Sequence, residues 1–373
     1  MSHPVQWTLA GRDGKARTGQ LHTRNGVVST PAFMPVGTRA AVRAVDVDDL
    51  EATGTEIALA NTYHLMLRPG PQVVADLGGL HNFWGWQRPI LTDSGGYQIF
   101  SLRPQIDEDG VRFKSVYDGR AVHLRPEEAV TIQEELGADI AMVLDVCIGL
   151  PSQREMVSEA MERTLRWAER SLEVHRRSDQ ALFGIVQGGV DPDLRAMSAA
   201  KTASLGFAGF GIGGLSVGES PAQREVALKV ALDELPADRV RYVMGLGDPE
   251  GVMAGVELGA DLFDCVWPTR LARHGRVFTA NGDFNLRRAE YATDPRPLEA
   301  GCDCHTCTRH HRAYLRHLLA NNELAAFRLL SVHNLTYTMR LLAGIRTAID
   351  IGDLATHLAN VRARRLPVQS GND

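Results

Sequence analysis

A (β/α)8 barrel is the fold that this sequence predicts, and three observations predict it. Strand-length apolar runs alternate with helix-spaced segments through most of the chain, and eight such runs can be placed. One unit occurs twice: Glu134-Glu135-Leu136-Gly137-Ala138-Asp139 leads into an apolar run ending at Asp145, and Glu257-Leu258-Gly259-Ala260-Asp261 leads into one ending at Asp264. Polar residues stand at many of the run ends, namely Asn61, Asp93, Asp145, Gln187, Gly213-Gly214, Gly245 and Asp264. Active sites of such barrels lie at the carboxyl ends of the strands. A doubly wound sheet is the structural alternative, and the spread of polar tips over so many strands favours the barrel.

Positions 1–31 are polar, rich in glycine and broken by Pro4 and Pro31, which suits a small β layer ahead of the barrel. The eight strands are expected at 32–36, 56–60, 89–91, 140–144, 182–186, 207–212, 241–244 and 261–263. Helical spacing runs over 126–136, 152–177, 192–204, 221–235 and 249–257, several with proline in the first turn, where its missing N–H costs nothing. After the third strand, 101–123 reads as a hairpin insertion. The expected division is therefore a barrel over 1–276, a second insertion carrying cysteines over 277–333, and a C-terminal helix and tail over 334–373. The helix is expected over 334–363 and the last residues, 364–373, as a frayed tail.

The 373 residues, 44% of them hydrophobic, are enough for a sizeable core. A net charge of −5 means that a nucleic-acid partner must be met by a local basic patch. Such a patch is present: between Arg270 and Arg316 there are nine arginines against five acidic residues. Five cysteines, three of them crowded together, do not form a disulfide framework, and the N-terminus lacks a charged start followed by an apolar core, so a reducing cytoplasm is expected. No apolar run is long enough to span a membrane.

Cys302, Cys304 and Cys307 are spaced Cys-x-Cys-x-x-Cys, and His333 follows after 25 intervening residues. Three thiolates and one imidazole make a closed, structural zinc site. His305, His310 and His311 are alternative fourth ligands. In Thr92-Asp93-Ser94-Gly95-Gly96-Tyr97-Gln98 the glycines admit close approach of a ligand to the backbone, and Asp93 suits a proton donor or acceptor. Taken alone, the segment is also ordinary turn chemistry. Paired with Asp264 across a barrel mouth, Asp93 completes the two-carboxylate set that breaks glycosidic bonds, one as nucleophile and one as proton shuttle. Asp145 and Gln187 complement the donors and acceptor of a guanine edge, Gly213-Gly214 offers a backbone N–H, and Tyr97 with Met244 suits a stacking pair for a planar base. Taken singly, Asp145, Gln187 and the glycines read rather as satisfied polar caps at strand ends, and Met244 as core packing.

Together these residues resemble the bacterial tRNA-guanine transglycosylases, or queuine tRNA-ribosyltransferases, over nearly the whole chain. The resemblance is carried by Asn61-Thr62-Tyr63-His64-Leu65-Met66-Leu67-Arg68-Pro69-Gly70, the loop from Thr92 to Gln98, Gly184-Ile185-Val186-Gln187-Gly188-Gly189, Gly213-Gly214-Leu215-Ser216-Val217-Gly218-Glu219, the stretch from Phe263 to Arg270, and the Cys3His set. It implies a cytoplasmic, zinc-containing barrel enzyme, acting as a homodimer on the anticodon loop of tRNAs for Asp, Asn, His and Tyr, where the wobble guanine is exchanged for preQ1 in queuosine biosynthesis. It further implies that Asp264 attacks ribose C1′, that Asp93 protonates the leaving guanine, and that no nicotinamide, nucleotide or catalytic metal takes part. Asp145, Gln187, Gly214 and the Leu215 carbonyl would read the base, Tyr97 and Met244 would stack on it, and Thr269, Arg270 and Arg273 would meet RNA. The family usually runs Asp-Glu-Cys-Thr-Pro where this chain has Asp145-Val146-Cys147-Ile148-Gly149, which bears on how the base's side group is recognised. Val217 and Cys147 resemble the choice that narrows the pocket towards preQ1. The alternatives are the same exchange with queuine, a hydrolase using the same carboxylates without a need for the basic zinc region, and a non-catalytic tRNA-binding partner, which would be expected to have lost them. The archaeal type with an added C-terminal RNA-binding region would need a longer chain.

Overall fold

The computed structural model of the protein describes residues 4–102 and 104–365. Eight parallel strands close into a barrel in sequence order: Ala32–Gly37, Ala58–Ala60, Ile90–Thr92, Ile140–Met142, Ala181–Val186, Gly209–Ile212, Val240–Val243 and Leu262–Cys265. Closure is made by the eighth strand pairing with the first, Leu262 against Ala32 and Asp264 against Met34. Each strand is short and flanked by a helix on the outside, so both of its faces are covered, and most of its residues are apolar without strict alternation. Fully buried Phe33, Phe183, Phe207, Phe210 and Phe263 belong to the core.

The helices begin where the sequence signals placed them. Pro126–Leu136, Pro192–Ser204 and Pro249–Glu257 each open on proline. Asp191 and Asp248 cap the latter two by accepting backbone N–H bonds from the first turn. The N-terminal layer is a three-stranded antiparallel sheet, Gln6–Asp13, Ala16–Thr23 and Gly26–Thr30. It is anchored by the first aspartate of each repeated unit. Arg17 donates to both oxygens of buried Asp261, at 2.8 and 2.5 Å, and the backbone and side chain of Asn25 donate to Asp139 at 3.1 and 3.0 Å. The Gly-Ala-Asp repeat thus fixes the layer at the amino ends of the strands, opposite the rim that carries Asp145 and Asp264.

Three sequence expectations need correction. The insertion after the third strand is not a two-stranded hairpin but a three-stranded sheet, because Gln105–Ile106 adds a strand to the pair Val111–Lys114 and Ala121–Leu124. The C-terminal helix begins ten residues earlier than 334: Leu324–Asp350 is continuous, with His333 inside it, since the apolar spacing of Ala326, Leu329 and Leu330 already faces a core. This helix packs on the first barrel strand and so belongs to the barrel's outer layer. It does not run to 363, because Gly352, at φ +71°, ends it, and a separate helix follows, Leu354–Arg365. Of the expected tail, Arg364 and Arg365 belong to that helix, and the remainder lies outside the described residues.

Candidate active site and metal centre

A cavity of about 630 Å³ opens at the carboxyl rim of the barrel. Its lining includes residues at or beyond the ends of every barrel strand except the fifth: Val36, Leu59, Asp93, Asp145, Gly213, Met244 and Asp264 among them. Tyr97, Gly214, Leu215 and Arg270 line it as well. Gln187, Thr269 and Arg273, expected at the site, do not.

Asp93 follows the third strand and is held by the start of the next short helix out, Thr62–Leu67. Asn61 caps that helix, its Oδ1 accepting from the His64 N–H at 3.1 Å, while its Nδ2 donates to Asp93 Oδ2 at 2.5 Å. The Thr62 and Gly95 N–H groups donate to Asp93 Oδ1 at 2.9 and 3.2 Å. Burial nevertheless dominates, and with the Asp264 charge it pushes the carboxyl up to about 7. A carboxyl poised near neutrality suits a group that must both give and take a proton.

Asp264 is held differently. Its Oδ1 accepts from the Tyr242 hydroxyl at 2.5 Å and the Gly245 N–H at 2.7 Å. No donor among the described residues bonds Oδ2. Burial raises this carboxyl, and the two hydrogen bonds oppose that rise. Sequence reasoning gave Tyr242 no role, although a signal existed: on the expected strand 241–244 it lies two residues before Met244, which places both on one face of an extended chain.

Asp145 is buried, and burial pushes it up to about 6. Gln187 Nε2 donates to Asp145 Oδ2 at 2.6 Å, which places the amide behind the carboxylate and out of the cavity wall. Gly214 sits at φ +63°, and a Cβ there would come 2.2 Å from Gln187 Oε1, so any other residue would be strained and would push the Gln187 amide aside. Beneath it, fully buried Arg195 donates to the carbonyls of Gly189, Val186 and Gly214. Buried Glu219 accepts from the Ser216 and Val217 N–H groups and fixes the loop after Leu215. Val146, the departure from the family pattern, packs with Leu144 and Trp167 and does not line the cavity. Burial pushes the Cys147 thiol up to about 12, so it stays protonated.

On the basic side, Arg270 is exposed at the cavity, whereas Thr269 is buried with its hydroxyl donating to the Val266 carbonyl, one turn back. Arg273 is partly buried behind them.

The cysteine cluster is assembled as well. Sγ of Cys302, Cys304 and Cys307 lie 3.7, 3.6 and 3.4 Å from His333 Nδ1, and all four residues are buried. Ligands about 2.1–2.3 Å from a tetrahedral ion stand roughly 3.4–3.8 Å apart, so the donor set fits a four-coordinate ion such as zinc. His333 Nε2 lies 2.9 Å from the Phe278 carbonyl, which selects the tautomer with a free Nδ1. Of the alternative ligands, His310 instead stacks on Tyr314, and His311 caps the helix Arg312–Ala320. The cysteines are part of a second apolar core with Leu298, Leu315, Leu319 and Leu330.

Among the described residues no helix is long and apolar enough to cross a membrane. A family model described as "Queuine tRNA-ribosyltransferase" matches residues 13–367. A protein of that name from Thermus thermophilus is 49% identical over 367 residues, covering 97% of this chain and 95% of the relative. One from Desulforamulus reducens is 50% identical over 337 residues, covering 90% and 91%. One from Pseudoalteromonas translucida is 46% identical over 363 residues, covering 97% of each.

Proposed function

The chain belongs to the queuine tRNA-ribosyltransferase family and is a tRNA-guanine transglycosylase; from that premise we propose that it exchanges the wobble guanine of tRNAs for Asp, Asn, His and Tyr for preQ1. The observation that carries this reading is the convergence of Asp93, Asp264 and Asp145 on one cavity, each from a different strand.

The chemistry proceeds in two displacements. A carboxylate oxygen of Asp264 attacks C1′ of the flipped nucleotide, the C1′–N9 bond breaks, and guanine leaves with the electron pair as it takes the Asp93 proton. The incoming base gives its N9 proton to Asp93 and attacks C1′, the ester bond breaks, and Asp264 is regenerated. This is the retaining two-carboxylate scheme applied to an N-glycoside. Asp145 accepts the guanine N–H donors, with Gln187 orienting it from behind. Tyr97 and Met244 stack on the base, and the backbone of Gly214 and Leu215 reads its edge. Arg270 takes RNA phosphate next to the site, with Thr269 and Arg273 supporting its helix, Trp267–Arg273. A target in a single-stranded loop costs less to flip than one in a duplex.

The preference for preQ1 is supported by Val217 and buried Cys147, which line the cavity and match the residues that the resemblance associates with a narrower pocket, and by Val146 lying away from the cavity. The Cys3His set holds one structural zinc, which stabilises the second core. The protein works in the cytoplasm as a homodimer, one barrel doing the chemistry while the second subunit orients the tRNA.

The test follows labelled guanine lost from the wobble position of an unmodified tRNA of this set, with preQ1, with queuine or with no base added. Release driven by preQ1, and absent in Asp264→Ala, is expected. Release without added base would mean a hydrolase, and none under any condition would leave an RNA-binding protein.

A further inference from the structure

Arg39, His64, Arg68 and Tyr117 form a cluster at the barrel rim that the reading above leaves unused. Arg39 follows the first barrel strand, His64 and Arg68 belong to the helix after the second and its cap, and Tyr117 lies in the turn of the inserted sheet. The Arg68 guanidinium stands 4.6 Å from the centroid of the Tyr117 ring and that of Arg39 stands 5.4 Å from it. Arg39 Nε donates to the Tyr117 hydroxyl at 3.0 Å, and His64 Nδ1 lies 2.9 Å from the same oxygen. A guanidinium can only donate, so the hydroxyl accepts from Arg39, and a neutral His64 lets it give its own proton to Nδ1. Burial, followed by the Arg39 charge, lowers the His64 pKa in the same sense.

Both arginines are exposed, and neither has a carboxylate within 4 Å among the described residues. Asp118 is near enough to feel Arg68, yet its pairing partner is Arg120, at 3.7 Å. Most of Arg39's fork and all of Arg68's is therefore free to donate, on side chains already ordered by an aromatic platform. Two pre-positioned guanidinium groups without counter-charge match phosphate oxygens, which they can bind through paired N–H donors. The location matters as much as the chemistry. The helix Thr62–Leu67 that carries His64 is the one whose cap residue and first N–H hold Asp93, so an anion bound here lies on the element that positions the proton shuttle.

We propose that the Arg39–Tyr117–Arg68 stack is a second phosphate-binding site for the substrate RNA, gripping the backbone on the strand-one-to-three side of the cavity while Arg270 grips it beside strand eight. This rests on the assignment of RNA as substrate.

The test measures binding of an unmodified tRNA-Asp transcript to the full-length protein over a series of KCl concentrations, with base exchange followed in parallel. Arg39→Gln and Arg68→Gln are each expected to raise Kd about 3- to 10-fold near 0.1 M salt and to lower the slope of log K against log salt by about 0.7–0.9. Arg68→Lys keeps the slope and loses part of the affinity, because it retains charge without the fork. Tyr117→Leu raises Kd without changing the slope, since it removes the platform and no charge. If the Arg39→Gln/Arg68→Gln double variant binds with the wild-type Kd and slope while Arg270→Gln weakens binding, the stack only props the inserted sheet and the proposal is overturned. If the wild-type protein itself neither binds nor exchanges the transcript, the substrate assignment fails and this site falls with it.

Discussion

The Tyr242 hydroxyl donates a 2.5 Å hydrogen bond to Oδ1 of Asp264 from the neighbouring strand, and this leaves Oδ2 as the oxygen free to react. A hydrogen bond to a charged acceptor contributes about 1.5–3 kcal/mol. Tyr242→Phe should therefore lower kcat by roughly 10- to 100-fold, and it should move the acidic limb of the pH–rate profile upward, because ionised Asp264 has lost a donor. A variant with unchanged limb and unchanged kcat would show that the Gly245 N–H holds the carboxylate alone.

Asp93 makes stability depend on pH. Its folded pKa, about 7, lies above the ordinary value of 3.8, so between these values the folded protein keeps a proton that the unfolded chain has released. The contribution is full below pH 4 and is lost as pH rises to 7. Asp145, at about 6, adds a similar loss over the lower part of that window. Asp93→Asn, which cannot ionise, should gain on wild type by up to a few kcal/mol between pH 4.5 and pH 8 in urea unfolding. Parallel pH dependences would mean that Asp93 titrates normally.

Gly214→Ala should weaken base binding more than it weakens the fold. The added methyl would meet Gln187 Oε1 at 2.2 Å in a backbone region that L-residues rarely adopt. The Gln187 amide would have to retreat from Asp145, so KM for the incoming base is expected to rise about 10-fold or more, with a stability loss of about 1–2 kcal/mol. An unchanged KM would separate this glycine from base recognition.

Removing the metal should reach the active rim. Asn334, next to His333, donates to the Pro268 and Arg276 carbonyls and accepts from the Phe278 N–H, tying the segment after Asp264 to the ligand-bearing helix. The purified protein is expected to carry about one zinc per chain. Chelation, or Cys304→Ser, should lower the melting temperature by more than about 5 °C and raise KM for tRNA. Loss of zinc with an unchanged melt would leave the second core able to stand on its leucines.

Much of the fold could be read from local chemistry. Proline at the first turn and an acidic cap marked the helices at 192 and 249, and apolar runs between glycine turns marked the eight strands, because these signals act within a few residues. The Cys-x-Cys-x-x-Cys spacing likewise announced a ligand set by itself. What the chain alone did not determine concerns groups brought together across the barrel. That Tyr242 serves Asp264, that Gln187 stands behind Asp145 and not in the cavity wall, and that His333 rather than His305, His310 or His311 meets the thiols all depend on strand register and on where a helix packs. Register and packing are set by closure of the whole barrel, an interaction between residues hundreds of positions apart, and no short window of sequence contains it.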